Sequence, residues 1–271
     1  MTDAPTTPRS ATNWAAEARR LGLLALLVLG LHSLIAKPFY IPSESMMPGL
    51  LVGDRLVVSK YPYGWSSASL SLHLLPALPG RLFGRYPARG DIVILTPPDG
   101  GHGGHDLIKR VIGLPGDTVQ MIGGRLWLNG VAVATRDLGI RPIPVDAAAR
   151  CDHAGPGGRI CRVHVLRETL PGGARYETLD LGHSAMDDTP PYRVPAGQVF
   201  VLGDNRDNSA DSRVPVALGG LGGAVPVAAI GGRAEFMTFS LGDGAGWNPL
   251  TWWPALRLDR TATALRPDHA D

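Results

Sequence analysis

The stretch "FYIPSESMMPGLLVGDR" (39–55) sets Ser43 and Ser45 on either side of Glu44, among methionines and two prolines. In an extended backbone successive side chains alternate, which turns both hydroxyls to one face and Glu44 to the other. One hydroxyl can then attack a carbonyl while the other, with a backbone N–H, stabilises the oxyanion that forms. The plainer alternative is a pair of turn serines beside a proline. A serine hydroxyl is a weak nucleophile until a base removes its proton. Histidine is not an obvious source of that base. His32 lies in an apolar run, His102 and His105 lie in the glycine loop "GGHGGHD", and no G-x-S-x-G turn surrounds Ser45.

Of 26 basic residues only Lys37, Lys60 and Lys109 are lysines. Arginine stays charged, whereas a desolvated lysine can shed its proton and act as a base. Lys109 falls in "DLIKRVIGLPGD" (106–117), where a strand would place Leu107, Lys109 and Val111 on one face and Ile108, Arg110 and Ile112 on the other. Both faces are apolar and each carries one cation. Arg110 must pair, and Asp204 is the expected partner; Lys109 can instead become neutral and serve Ser45. The alternative is two rim cations on an edge strand. "GDNRDNSADSR" (203–213) packs acids, amides and serines into one tight loop. Its serines could hold an amine and its acids could answer the arginines; otherwise it is an asparagine-rich turn. A calcium loop counted from Asp207 fails, because Ser212 stands where glycine is needed and Leu218 where glutamate is needed.

These groups need positioning elements. Residues 1–13 are polar and read as a disordered tail. Leu21 to Ala36 is then free of formal charge over 16 residues. As a helix it spans about 24 Å against a hydrocarbon core of roughly 30 Å, and Trp14, Ala15, Ala16 and Ala18 can extend it while Arg19 and Arg20 snorkel. A transmembrane anchor over 14–37 is expected. The residues before Lys37 make a poor signal-cleavage site. Arg9, Arg19 and Arg20 precede the anchor and Lys37 alone follows closely, which puts the N-terminus in the cytoplasm. Beyond it "DRLVVSKY", "GDIVIL" and "QVFVLGD" read as strands, and Asn129-Gly130 in "GRLWLNGVAVAT" marks a two-residue hairpin. With 35 glycines and 24 prolines the expected fold is mostly β: an antiparallel catalytic domain over 38–119 and 196–271, with a smaller β-rich insertion over 120–195.

Composition removes some function classes. A formal charge of +2 with scattered basic residues gives no footprint for nucleic acid. Cys151 and Cys161, ten positions apart in "CDHAGPGGRIC", suit either a surface disulfide in an oxidising compartment or two free thiols, and zinc spacings are absent. The apolar loop Trp65–Gly84 suits a core hairpin or insertion into lipid; Trp247, Trp252 and Trp253 suit a lipid interface or a core.

The anchor, "IPSESMMPGLLVGD", "RGDIVIL", "DLIKRVIGLPGD" and "GDNRDNSADSR", in this order, resemble the bacterial type I signal peptidases, membrane-bound serine proteases with a Ser/Lys dyad. The resemblance implies Ser45 as nucleophile, Lys109 as general base, and Ser43 as oxyanion donor beside the Ser45 N–H. It implies Ser209 as the hydroxyl that orients the amine, with Asp211 and Arg213 supporting it. Phe39, Ile41, Pro42, Met46, Leu50 and Ile108 would line shallow pockets for small side chains. It further implies removal of signal peptides from preproteins at the outer, periplasmic face of the inner membrane, with the preprotein and the bilayer as partners and no metal or organic cofactor. Glu44 stands where many members have glycine, Gly49 where many have threonine, and the segment after Arg213 is longer than usual. Alternatives are a dedicated pilin or conjugation-protein peptidase of the same chemistry, or a non-catalytic membrane-anchored β-rich binding protein. Metal-dependent hydrolysis through His102 and His105 is a more remote one.

Overall fold

The computed structural model describes residues 13–69, 80–98, 104–145, 160–242, 244–246 and 248–269. The expected tail (apart from residue 13), His102, Cys151, Trp247 and positions 70–79 of the apolar loop lie outside them.

Helix α1 (Trp14–Gly30) begins at Asn13, whose side chain accepts the Ala16 N–H at 3.2 Å, and runs on through a π-helical turn (Leu31–Ile35). Trp14–Ile35 spans 22 residues, and its most apolar 18-residue window has a mean hydropathy of 1.6, long and apolar enough to cross a membrane. No residue of α1 is buried, and Leu21 and Leu26 are each 66% exposed. Such a helix, apolar and unpacked by protein, suits lipid. It ends at Ile35 rather than at 37, because Ala36 already pairs in a sheet.

The strands are β1 (Ala36–Tyr40), β2 (Asp54–Ser59), β3 (Ile92–Leu95), β4 (Leu107–Gly113), β5 (Thr118–Ile122), β6 (Arg125–Leu128), β7 (Val131–Ala132) and β8 (Ala134–Pro144). They continue with β9 (Ile160–Thr169), β10 (Ala174–Asp180), β11 (Tyr192–Arg193), β12 (Gln198–Leu202), β13 (Val225–Pro226), β14 (Ile230–Ser240) and β15 (Asp268–His269). A seven-stranded sheet has the order β1-β2-β14-β3-β4-β12-β13, every pairing antiparallel. Two four-stranded sheets, β15-β10-β9-β8 and β11-β5-β6-β7, complete a mostly β molecule. The hairpin joining β6 to β7 turns through Asn129 (φ 55°) and Gly130 (φ 77°), both left-handed as a type I′ turn requires.

The large sheet is covered on both faces, so its central strands read as continuous apolar runs; all four residues of β3 are buried. One cluster gathers Ile41, Met46, Leu50, Leu56, Ile94, Ile108 and Met237, and another gathers Val93, Leu95, Val111, Val201 and Ile230. Of the apolar loop, Trp65 donates its indole N–H to the Leu34 carbonyl at 2.9 Å and meets Phe83 edge-on, while Phe83 is 83% exposed. Trp252 and Trp253 are exposed. Cys161 is buried and disulfide-bonded.

Candidate active site

After β1 the chain leaves the sheet and closes a helical turn, with Met47 N–H donating to Glu44 O at 3.0 Å and Leu50 N–H to Met46 O at 2.9 Å. Side chains four apart share a side of such a turn. Met46 and Leu50 enter the core of the large sheet, whereas Met47 and Leu51 enter a cluster with Ile143, Val163, Val165 and Leu179 of the second sheet and its flank. The turn is thereby wedged between two sheets. Its exit is a tight crossing: a Cβ on Gly53 (φ 92°) would lie 1.9 Å from the Leu241 carbonyl oxygen, so glycine is required.

Ser45 sits in this turn and is 8% exposed. The expected extended backbone over residues 43–45 is not what brings the two serines together. The turn curls Ser45 back so that its Oγ lies 3.4 Å from Ser43 Oγ. Glu44 does not project freely: its carboxylate accepts the Asn208 side-chain N–H at 2.9 Å.

Lys109 lies on β4 opposite Val93, between β3 and β12, and is 3% exposed. Its Nζ is 2.8 Å from Ser45 Oγ and 3.1 Å from the Ile108 carbonyl oxygen. Burial lowers the Lys109 pKa from an ordinary 10.5 to about 8; the negative charges of Asp211 and Asp204 oppose the fall and the positive charge of Arg213 assists it. The adjacent Arg110 does the opposite. Its guanidinium grips Asp204 twice, at 2.7 and 2.6 Å, donates to Gly90 O at 2.7 Å, and stacks 4.3 Å from the Tyr176 ring centroid. Burial would weaken its charge, but Asp204 outweighs burial and holds Arg110 firmly protonated. One strand thus presents a permanent cation and a neutralisable amine side by side.

The loop 203–213 folds over this pair. Asp211 is fully buried and accepts the Gly203 N–H at 3.0 Å, the Arg213 N–H at 3.1 Å, and Arg213 Nε and Nη2 at 3.0 and 2.9 Å. Burial pushes its carboxyl up, but the Arg213 charge and these bonds prevail and hold it below the usual carboxylate range. The long segment after Arg213 does not disturb the pair, because it turns back on itself and Leu221 N–H donates to Asp211 O at 3.0 Å. Ser209 departs from expectation: among the described residues its buried Oγ has no hydrogen-bond partner, and the Lys109 amine is turned to Ser45 and Ile108 instead. Ser209 is nevertheless close by. A Cβ on Gly203 would lie 2.2 Å from its Oγ and 2.5 Å from the Ser45 carbonyl oxygen.

The sequence profile described as "Signal peptidase, peptidase S26" matches residues 13–239. A Signal peptidase I of Rickettsia typhi is 34% identical over 239 residues, covering 84% of this chain and 78% of that one. One from Rickettsia bellii (strain OSU 85-389) is 34% identical over 254 residues, covering 88% and 75%. The crystal structure of a signal peptidase I from Enterococcus faecalis V583 is 25% identical, covers 55% of this chain and 97% of that one, and has a TM-score of 0.28. The chain belongs to the signal peptidase S26 family.

Within this S26 chain, Ile41, Met46, Leu50 and Ile108 are buried together in the core beside the turn, while Phe39 is half-buried and Pro42 exposed. His105 is exposed, and among the described residues no three metal-ligating side chains converge. Sequence reasoning missed Asn205, which donates its backbone N–H to Ser45 O at 3.1 Å and its side-chain N–H to Glu44 O at 3.2 Å. The amide density of "GDNRDNSADSR" was the available signal. It also missed the buried trio that ties the loop to the second sheet, where Arg206 binds Glu168 at 2.7 and 2.5 Å and Tyr176 O–H donates to Glu168 at 2.6 Å. Nothing in the 120–195 stretch marked Glu168 for that part.

Proposed function

We propose that this chain is a membrane-anchored serine endopeptidase that removes signal peptides from exported preproteins through a Ser45/Lys109 dyad and an acyl-enzyme, at the outer face of the inner membrane. The observation that carries the reading is the 2.8 Å approach of the buried Lys109 amine to the Ser45 hydroxyl. Family membership and the N-terminal apolar helix support it.

In the reactive form Lys109 is unprotonated, a state that its burial favours. Its lone pair takes the Ser45 proton as Oγ attacks the scissile carbonyl, and Ser43 Oγ with the Ser45 N–H bonds the oxyanion. The resulting ammonium protonates the leaving amine. A water activated by the same amine then releases the acyl group and regenerates Ser45. Asp211 and Arg213 fix the loop that encloses the amine, and Ser209, carried on the same loop, is the hydroxyl assigned to orient it. The substrate presents its cleavage site next to its own apolar helix, and Ser45 lies nine residues beyond Ala36. Enzyme and substrate are thus held in one plane, which replaces a three-dimensional search by proximity.

Ser45→Ala, Lys109→Ala and Lys109→Arg, each incubated with a preprotein in detergent micelles, test this. All three should lose activity by about 10³-fold or more, since arginine keeps charge and reach but cannot supply a neutral amine. Normal cleavage by any one of them contradicts the dyad.

A further inference from the structure

We propose that Lys60, assisted by Lys37, binds the phosphodiester of an anionic phospholipid at the point where the apolar helix leaves the membrane. The inference rests on the reading of Trp14–Ile35 as a membrane span and is independent of the chemistry at Ser45.

Lys60 is only 5% exposed, yet among the described residues its ammonium makes no hydrogen bond or ion pair. The charges that act on it are Lys37, Asp106 and Arg81. Asp106 lies beyond ion-pair distance and is hydrogen-bonded to Thr96 at 2.7 Å. The Arg81 guanidinium is taken up by the carbonyls of Tyr63, Gly64, Val227 and Ile230. Burial first, then Lys37 and Arg81, bring the Lys60 pKa down to about 8, which leaves it mostly protonated at neutral pH. The Nζ is not among the fully buried unpartnered atoms, so a nearly enclosed charge without a protein partner keeps an opening at which an anion can meet it.

The position of Lys60 says which anion. Its backbone N–H donates to the carbonyl of Ile35, the last residue of the apolar span, at 2.9 Å, and Lys37 pairs with Val58 on the neighbouring strand. Trp65 bonds the Leu34 carbonyl at 2.9 Å and packs against exposed Phe83, while Tyr61, next in sequence to Lys60, is 55% exposed. Aromatic side chains of this kind collect at the boundary between hydrocarbon and water, the depth at which phospholipid phosphates lie. Two further cations nearby disfavour a choline or ethanolamine group on the same lipid. An uncharged headgroup such as glycerol on the phosphodiester fits best.

The test uses the full chain in maltoside micelles, titrated with phosphatidylglycerol and separately with phosphatidylcholine, with bound lipid counted by native mass spectrometry. Wild type should retain phosphatidylglycerol about fivefold more tightly than phosphatidylcholine, and Lys60→Met should remove most of that preference. Lys60→Gln, checked with Lys60→Met for an intact unfolding transition, guards against misfolding. Equal phosphatidylglycerol binding by wild type and folded Lys60 variants overturns the site. Inorganic phosphate should not displace the lipid at equal concentration; if it does, the site takes free phosphate and the lipid assignment is overturned. Flotation with phosphatidylcholine vesicles reads the anchor alone. Wild type and Lys60→Met should both float, and failure of the wild type to do so contradicts the span itself.

Discussion

At the scale of single residues, the site depends on two adjacent cations meeting burial differently. Lys109 carries a pKa depressed to about 8 from 10.5 by burial, so below pH 8 the fold holds a charge it disfavours. Between the two values the unfolded chain binds the extra proton, and stability rises with pH across that window. Lys109→Met should therefore raise the unfolding free energy at pH 7, read by chemical denaturation, by roughly 3 kcal/mol, with the advantage shrinking as pH rises from 8 toward 10.5. Arg110 is the reverse case: Asp204→Asn leaves a buried guanidinium half-paired and should cost about 3 to 5 kcal/mol in the same assay. Both roles were legible in "DLIKRVIGLPGD", because a strand apolar on both faces must either pair its charges or discharge them. The Glu168–Arg206 pair was not, since neither segment shows where the other will lie.

At the scale of elements, the turn that carries Ser45 is held by contacts from the loop 203–213. Sequence alternation predicted that Ser43 and Ser45 would meet but assigned the wrong backbone. The turn follows from Met46 and Leu50 seeking one core while Met47 and Leu51 seek another, a demand visible only once both sheets exist. Asn205 and Asn208 bind the backbone and side chain of Glu44, and Asn205 also binds the Ser45 carbonyl. Asn208→Ala and Glu44→Ala should lower kcat severalfold while Glu44→Gln retains most of it. The alanine variants leave Asp211, Asp204 and Arg213, the charges that act on the Lys109 amine, in place, so their pH midpoint should stay near that of the wild type. Gly203→Ala is a harsher change, because its Cβ would collide with Ser209 and with the Ser45 carbonyl. Cleavage should fall by orders of magnitude even though the residue is only one methyl larger; unchanged cleavage would mean that the loop is free to move.

At the scale of the whole molecule, the long apolar N-terminal helix, the β class and the hairpin at Asn129-Gly130 were readable, since each rests on local pattern. Strand order was not. β14 slots between β2 and β3 with Arg233 opposite Ser59, and β15 joins β10 from the far end of the chain, pairings that no local signal announces. The arginines before the helix predict a sided insertion, so protease added to spheroplasts should digest the β domain and leave the anchor fragment. Protection of the β domain would reverse the orientation. The central claim is that an unprotonated Lys109 activates Ser45, and the pH dependence of kcat/KM for preprotein cleavage by the full chain reads that proton directly. The account predicts a rise with a midpoint near pH 8, the value that burial gives the amine. A profile flat between about pH 6 and 10 would contradict it.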